Sequence, residues 1–388
     1  MSNRVLVLST LETKADEIRF LRTCLDDHGI ENELVDLSLW SHGDVWDGRS
    51  KIEAMNSTAA RAVEEMKARL SSVDCLVGLG GGTGGEIIMR AMGAMPITFP
   101  KLLITTLPFD PRMAVADNSI VLVPTLADIC GLNATLRQVL ENAAAMTAGL
   151  CRSRRKEGAC VEVPSVGITA LGATEAAVGR LIVSLKDRGQ EATVFHANGY
   201  GGAAYARFIA RGAFRSVVDL TTHELTRLLI AGSHADMPAR FLAATDAGLP
   251  QVVLPGGLNF IGLGQIDLVP PAFLERPHYR HSSYFTHVKL REDEMAGVAE
   301  ALVTALNKAP GRPHLIVPMG GFSHQDAPGG AIEDPDLRGI FLSTARRIAA
   351  PHVTVETVDA HISAPATTTA ILAALDSASA AIKDRAHA

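Results

Sequence analysis

The segment VGLGGGTGGEIIMRAM, residues 77–92, sets dense glycine between an apolar run and a helical pattern. Glycine lets backbone N–H groups approach an anionic oxygen closely, and a following helix offers its positive end. That chemistry suits a phosphate; the competing reading is a tight turn that packs a strand on a helix. Gly80, Gly82 and Gly85 formally fit G-x-G-x-x-G, but the loop follows a third strand, and the first acid after Glu86 is Asp110. No G-K-[S/T] follows, so the Walker pattern is absent as well. A second cluster, Ser9-Thr10-Leu11-Glu12-Thr13-Lys14, offers hydroxyls, a carboxylate and an amine just after the first apolar run. Its plain alternative is capping of the next helix by Thr10 or Thr13. Ser38, past the second strand, lies beside both loops in a sheet ordered 3-2-1 or 2-1-3, or is an ordinary turn serine.

The second half scatters polar residues over loops that follow apolar runs: His196, Glu224, Asn259, His281, Lys289, Ser323, Asp326 and His361. They are candidates for an enzyme acting on a small carboxylic or acyl metabolite, histidine being the natural general acid and base. Their spacing matches no recognisable catalytic set. Ser323 stands in G-F-S-H-Q, which lacks the second glycine of the nucleophile elbow. His278, His281 and His287 match no compact zinc spacing, so no metal site is assigned to them. Asp326, Asp334 and Asp336 flank a turn where carboxylates could hold a substrate or Mg²⁺, or simply face solvent.

Short β-branched runs alternate with longer helical patterns, which calls for parallel sheets covered by helices. Strands are expected at 4–8, 33–37, 75–79, 102–105 and 120–123, with helices over 14–27, 54–70, from about 86, and 126–150. The segment CRSRRKEGACVEVP, residues 151–164, breaks the pattern with charge, glycine and proline. It reads as a solvated linker between a domain at 1–150 and a second at 165–388. In the second, strands are expected at 165–169, 192–196, 216–220, 251–254, 314–318 and 353–358, each followed by a helix. The openings of the halves share a strand, a threonine-containing turn, a helix and a glycine stop. The fold class is therefore α/β, two similar doubly wound domains with a ligand cleft between them.

A net charge of −6 gives no general attraction to nucleic acid or an anionic membrane. Five cysteines without a C-x-x-C suit a reduced, cytoplasmic protein. The opening MSNRVLVLST reads as a strand rather than a signal peptide, and no apolar run approaches the ~20 residues of a membrane span. The alanine-rich stretch at 365–383 could form a homodimer face or cover a sheet.

These motifs resemble, in order and over nearly the whole chain, the uncharacterised bacterial and fungal family that includes the ATP-binding inhibitory region of the tomato mosaic virus resistance protein. The resemblance rests on Ser9–Lys14 against G-T-x-D-T-K, and on Gly78-Leu79-Gly80-Gly81-Gly82 against the strand end I-G-L-G-G. It continues through DICGLN (128–133), VLENAAAMTAGL (139–150), FHANGYGG (195–202), VDLTTHEL (218–225), VVLPGGLNF (252–260), DAPGG (326–330) and VDAHI (358–362). The resemblance implies two Rossmann-like domains and an ATP site, with Mg²⁺ as the companion ion. The site maps to Glu12, Thr13, Lys14, Ser38, Gly81, Gly82, Thr83 and Gly84, and raises the phosphate reading of the glycine loop. A protein-interaction role, as in the plant relative, is a further implied alternative. The chain departs from the pattern at Glu12, where the family has aspartate, and at 107–112, where a serine- and glycine-rich segment is replaced by bulkier residues. Further departures are Ser282 for asparagine, Ser363 for asparagine, and Lys289 for arginine, which exchanges a bidentate fork for a point charge.

Overall fold

The computed structural model describes residues 3–39, 48–108, 110–154, 165–231, 237 and 239–386. The chain divides into two compact units, Met1–Val161 and Glu162–Ala388. In the first, the order is β1 (Asn3–Ser9), α1 (Leu11–Asp27), β2 (Ile30–Asp36), α2 (Gly48–Arg69), β3 (Cys75–Gly80) and α3 (Gly82–Gly93). It continues with β4 (Lys101–Thr105), α4 (Arg112–Val115), β5 (Ile120–Pro124) and α5 (Ala134–Arg154). All five strands are parallel and lie in the order β2-β1-β3-β4-β5. Alternation along the strands feeds both faces. Val5, Val7, Val77 and Ile104 pack with Ile18, Leu21 and Leu25 of α1 and Leu136 and Leu140 of α5. Leu6, Leu8, Leu76 and Leu103 pack with Met66 of α2 and Ile87, Ile88 and Met92 of α3. Strands buried on both sides are why the sequence shows continuous apolar runs here.

The second unit runs β6 (Ser165–Ala170), α6 (Glu175–Asp187), β7 (Ala192–His196), α7 (Tyr200–Ala210), β8 (Phe214–Thr221), α8 (Glu224–Thr226) and α9 (Ala243–Asp246). Then come β9 (Gln251–Gly256), β10 (Phe260–Leu263), α10 (Pro271–Leu274), β11 (His278–Arg280), β12 (Thr286–Lys289) and α11 (Glu292–Leu306). It closes with β13 (His314–Pro318), α12 (Pro335–Ile348), β14 (Thr354–Val358) and α13 (Pro365–Ala386). The parallel sheet is ordered β14-β13-β9-β8-β6-β7, which repeats the winding of the first unit with one strand added. In each sheet the order reverses beside the first strand, at β1/β3 and at β6/β8.

Five expectations need correction. α3 begins at Gly82, inside the glycine loop, and α1 begins at Leu11, inside the threonine cluster. α5 begins at Ala134 rather than near 126, because Asn133 supplies a cap, its Oδ1 accepting from the Leu136 N–H at 2.9 Å. No helix directly follows β9: an antiparallel sheet, β10-β12-β11, intervenes before α11. Residues 151–154 of the expected linker belong to α5, and 155–164 lie outside the described residues. α13 spends its apolar face on the sheet, burying Ile371, Leu372, Leu375 and Ala374. Among the described residues no helix is long and apolar enough to cross a membrane.

Toward the carboxyl end of β8, an interior strand of the second sheet, lies a buried ion network. The Arg240 guanidinium donates to both Asp219 oxygens at 2.7 and 2.8 Å, to the Thr221 carbonyl at 3.2 Å and to Glu224. Thr169 donates to Asp219 at 2.6 Å. Removing the shared cation strands two buried carboxylates. Arg240→Met is therefore expected to lower stability by about 3–5 kcal/mol, read as an earlier midpoint in urea denaturation of the full chain; an unchanged midpoint counts against the network's role.

Candidate functional site

The reversal of strand order in the first unit brings the loops after β1 and β3 side by side, the usual ligand position in open α/β sheets. Ser9 Oγ donates to the Leu79 carbonyl at 2.7 Å, tying the two strand ends together. A side chain on Gly84 would come within 3.4 Å of the Thr10 hydroxyl, so the loops touch. The glycines divide into two classes. A Cβ on Gly80 would lie 2.5 Å from the Gly85 nitrogen, and one on Gly85 2.8 Å from Thr105 Oγ1, so these two are demanded by packing. Among the described residues, a Cβ on Gly81 would meet nothing within 4 Å, and one on Gly82 only Pro108 at 3.6 Å. Neither has a positive φ. Packing therefore gives no reason for glycine at 81 and 82.

Among the described residues no side chain caps the start of α3. The Gly85 N–H is spent on the Gly81 carbonyl at 2.7 Å. The N–H groups of Gly82, Thr83 and Gly84 have no acceptor among the described residues, which is the anion-seeking end of a helix left open. Thr10 occupies the N-cap position of α1 without a side-chain cap; its hydroxyl lies 3.3 Å from that of Thr13.

The other expected nucleotide contacts have internal partners. Ser38 Oγ donates to Asp36 at 2.5 Å and accepts the Glu12 N–H at 3.0 Å. Glu12 Oε1 accepts the Leu39 N–H at 3.1 Å. Lys14, at a kink in α1, donates to the Ile129 carbonyl after β5. Asp36, absent from the sequence reading, organises this edge by also accepting the N–H groups of Leu11 and Ser38. Its place as the acid ending β2 is the signal that could have found it. Thr105 is the other omission: fully buried against Gly85, with a hydroxyl that has no partner among the described residues. Among the described residues no three His, Cys, Asp or Glu converge on a metal position.

In the second unit, the glycine-rich FHANGYGG turn is already filled from within. The Gly199 N–H donates to Glu224 at 2.5 Å, and a Cβ on Gly202 would lie 2.2 Å from that carboxylate. Glu224 is thus the chain's own anion at a glycine-rich helix start, held by Arg240 as well. His196 ends edge strand β7 with an exposed side chain. Lys289 pairs with Asp334 at 2.6 Å, and Asp334 caps α12. Asp326 pairs with Arg338 at 2.6 Å and accepts the N–H groups of Phe322 and Asp334. Burial pushes its carboxyl up despite those partners. His361 Nε2 lies 2.9 Å from the Ser323 carbonyl rather than its hydroxyl, so Ser323 and His361 form no nucleophile–base couple. Ser323, Asp326, His361, Lys289 and Asn259 gather on the β9–β13 side, while His196 and Glu224 lie at β7 and β8.

His281 and His287 stand in an aromatic stack. His223, Phe260, His287 and His281 follow one another at centroid separations of 4.4, 4.1 and 4.5 Å. The Tyr279 hydroxyl lies 2.7 Å from His287 Nδ1. Burial, together with His223 and His281, pushes the His287 imidazole down to about 3.

Comparison with known proteins matches residues 42–156 to the N-terminal domain, and residues 163–379 to the C-terminal domain, of "Uncharacterised protein family (UPF0261)". A UPF0261 protein of Clostridium tetani is 29% identical over 85% of this chain and 87% of its own length. One of Rhizobium meliloti is 30% identical over 86% and 87%. The ToMV resistance protein Tm-1 of Solanum lycopersicum is 28% identical over 86% of this chain, which matches half of that longer protein.

Two outcomes follow from this geometry. Gly80→Ala is expected to destabilise by about 1–3 kcal/mol through overpacking, whereas Gly82→Ala stays within about 0.5 kcal/mol of the parent; urea denaturation of both variants distinguishes them. The unfolded His287 takes up a proton near 6.5, the folded one only near 3. Its contribution to stability is complete above pH 6.5 and is lost as pH falls toward 3, by up to about 1.4 kcal/mol per unit. His287→Phe, which preserves the stack, should flatten the stability–pH profile in that window; an unaltered profile refutes the assignment.

Proposed function

The chain belongs to the UPF0261 family, and we propose that its N-terminal unit is a nucleotide-binding domain that takes ATP. The observation that carries this reading is the pair Gly81 and Gly82. They stand where packing requires no glycine, at the start of a helix whose first N–H groups are uncapped among the described residues, beside the Thr10–Thr13 hydroxyls. Absent side chains at those positions let a phosphate approach the N–H groups of Gly82, Thr83 and Gly84, which the helix end stabilises. The motif resemblance to an ATP-binding region points to the same ligand.

Under this reading the loop after β1 forms the second wall, with the Thr10, Thr13 and Thr83 hydroxyls available to phosphate oxygens. Asp36 and Ser38 act by holding the backbone of that wall, through Leu11 and Glu12. Lys14 reaches the phosphates by exchanging its bond to the Ile129 carbonyl for a charged one. Mg²⁺ accompanies ATP as its counter-ion.

Isothermal titration of the full chain with ATP and Mg²⁺ tests the proposal. Heat of binding is expected for the parent, and at least about a tenfold loss of affinity for Gly82→Val. Absence of heat, or equal affinity in the variant, overturns it.

A further inference from the structure

We propose that the C-terminal unit binds a second copy of this chain through the outer edge of β7, the two β7 strands pairing antiparallel about a two-fold axis at Val194. β7 ends its sheet, with β6 as its neighbour. The Glu191 carbonyl accepts the Val166 N–H at 2.8 Å, and the Ala197 N–H donates to the Ala170 carbonyl at 2.7 Å. Strand alternation therefore turns the backbone groups of Glu191, Thr193, Phe195 and Ala197 to β6, and those of Ala192, Val194 and His196 outward. Among the described residues the outward N–H groups of these three, and the carbonyls of Ala192 and Val194, have no hydrogen-bond partner.

The other edges of the two parallel sheets are guarded. β2 carries Glu31 and Glu33, β14 carries Glu356, and β5 ends on Pro124. Charge and proline are the usual devices against edge-to-edge pairing. β7, with the sequence ATVFH, has no acid, lysine, arginine or proline, and its Val194 side chain is 40% exposed.

The helix above this edge completes the surface. Phe195 points to one face of the sheet, against Tyr205, Phe208 and Phe214, so Val194 lies on the opposite face with Ala192 and α6. One flank of α6 is turned to α13, where Arg188 pairs with Asp376 at 3.0 Å. The other flank, toward the open edge, carries Glu175, Gly179, Ile182 and Lys186 at three- and four-residue spacing. Ile182 and the adjoining Val183 are exposed, and among the described residues a Cβ on Gly179 would meet nothing within 4 Å. This stripe complements itself when reversed. A second α6 running antiparallel sets Glu175 against the partner's Lys186, and Gly179 against the partner's Ile182. Below it, each Val194 exchanges N–H and carbonyl with the partner's Val194, and each His196 N–H reaches the partner's Ala192 carbonyl. An isologous two-fold interface must match its own surface, and this match in charge and size commits the edge to a second copy.

Sedimentation velocity of the full chain at micromolar concentration should show twice the 41.0 kDa of one chain. Val194→Lys sets like charges face to face on the axis and should weaken association at least about tenfold, with the parent's circular dichroism retained because the position is exposed. Glu175→Lys should also weaken it, and adding Lys186→Glu should restore it by reversing the pair. If Val194→Lys fails to fold, the charge reversal decides, since both of its positions are exposed on α6. A monomeric parent overturns the proposal. So does a dimer that a folded Val194→Lys leaves intact, or a Glu175→Lys defect that Lys186→Glu does not rescue.

Discussion

The contact between the end of β3 and the start of α3 governs the first unit. Strand and helix come so close that a single carbon on Gly80 would strike the backbone of Gly85. That approach sets the first turn of α3 directly against the loop after β1, at the point where the sheet's order reverses. Had either residue carried a side chain, the helix would have to withdraw and its first turn would lose its approach to Thr10. The hydrogen bond from Ser9 to Leu79 fixes the same junction from the strand side. The candidate site is thus a consequence of close packing below it, with two further glycines left over that packing does not explain.

The second unit shows what the same devices do when the anion is internal. It repeats the winding of the first, and its FHANGYGG turn also sets glycines at a helix start. There the carboxylate of Glu224 occupies the position, neutralised by Arg240, which Asp219 shares. Buried ions demand partners, and this triad satisfies them inside the fold. Three of the candidate residues, Glu224, Asp326 and Lys289, are ion-paired with Arg240, Arg338 and Asp334.

Much of the fold was legible because its signals are local. The strand at 192–196, the helix at 175–187 and the strand at 314–318 follow from β-branched runs and apolar spacing, and they match the observed limits. The glycine stop after the first helix was legible too: Gly29 adopts a positive φ. What escaped was decided by distant partners. The β10-β12-β11 sheet pairs residues 260–263 with 286–289, and its short strands carry no periodicity of their own. Asp36 looked like any strand-end acid until three donors from two loops converged on it.

By itself, the sequence determined the alternation of buried strands and helices, the two-unit organisation, family membership through ordered motifs, and the presence of two glycine-rich helix starts. Composition and local pattern suffice for these because backbone propensity and apolar periodicity act over a few residues. Only the tertiary structure decided which glycine-rich start is open and which is filled. Both offer dense glycine before a helix, and the difference lies in a carboxylate 25 residues further along the chain that folds back onto one of them. Occupancy of such a site depends on which distant group comes near, and no local spacing records that.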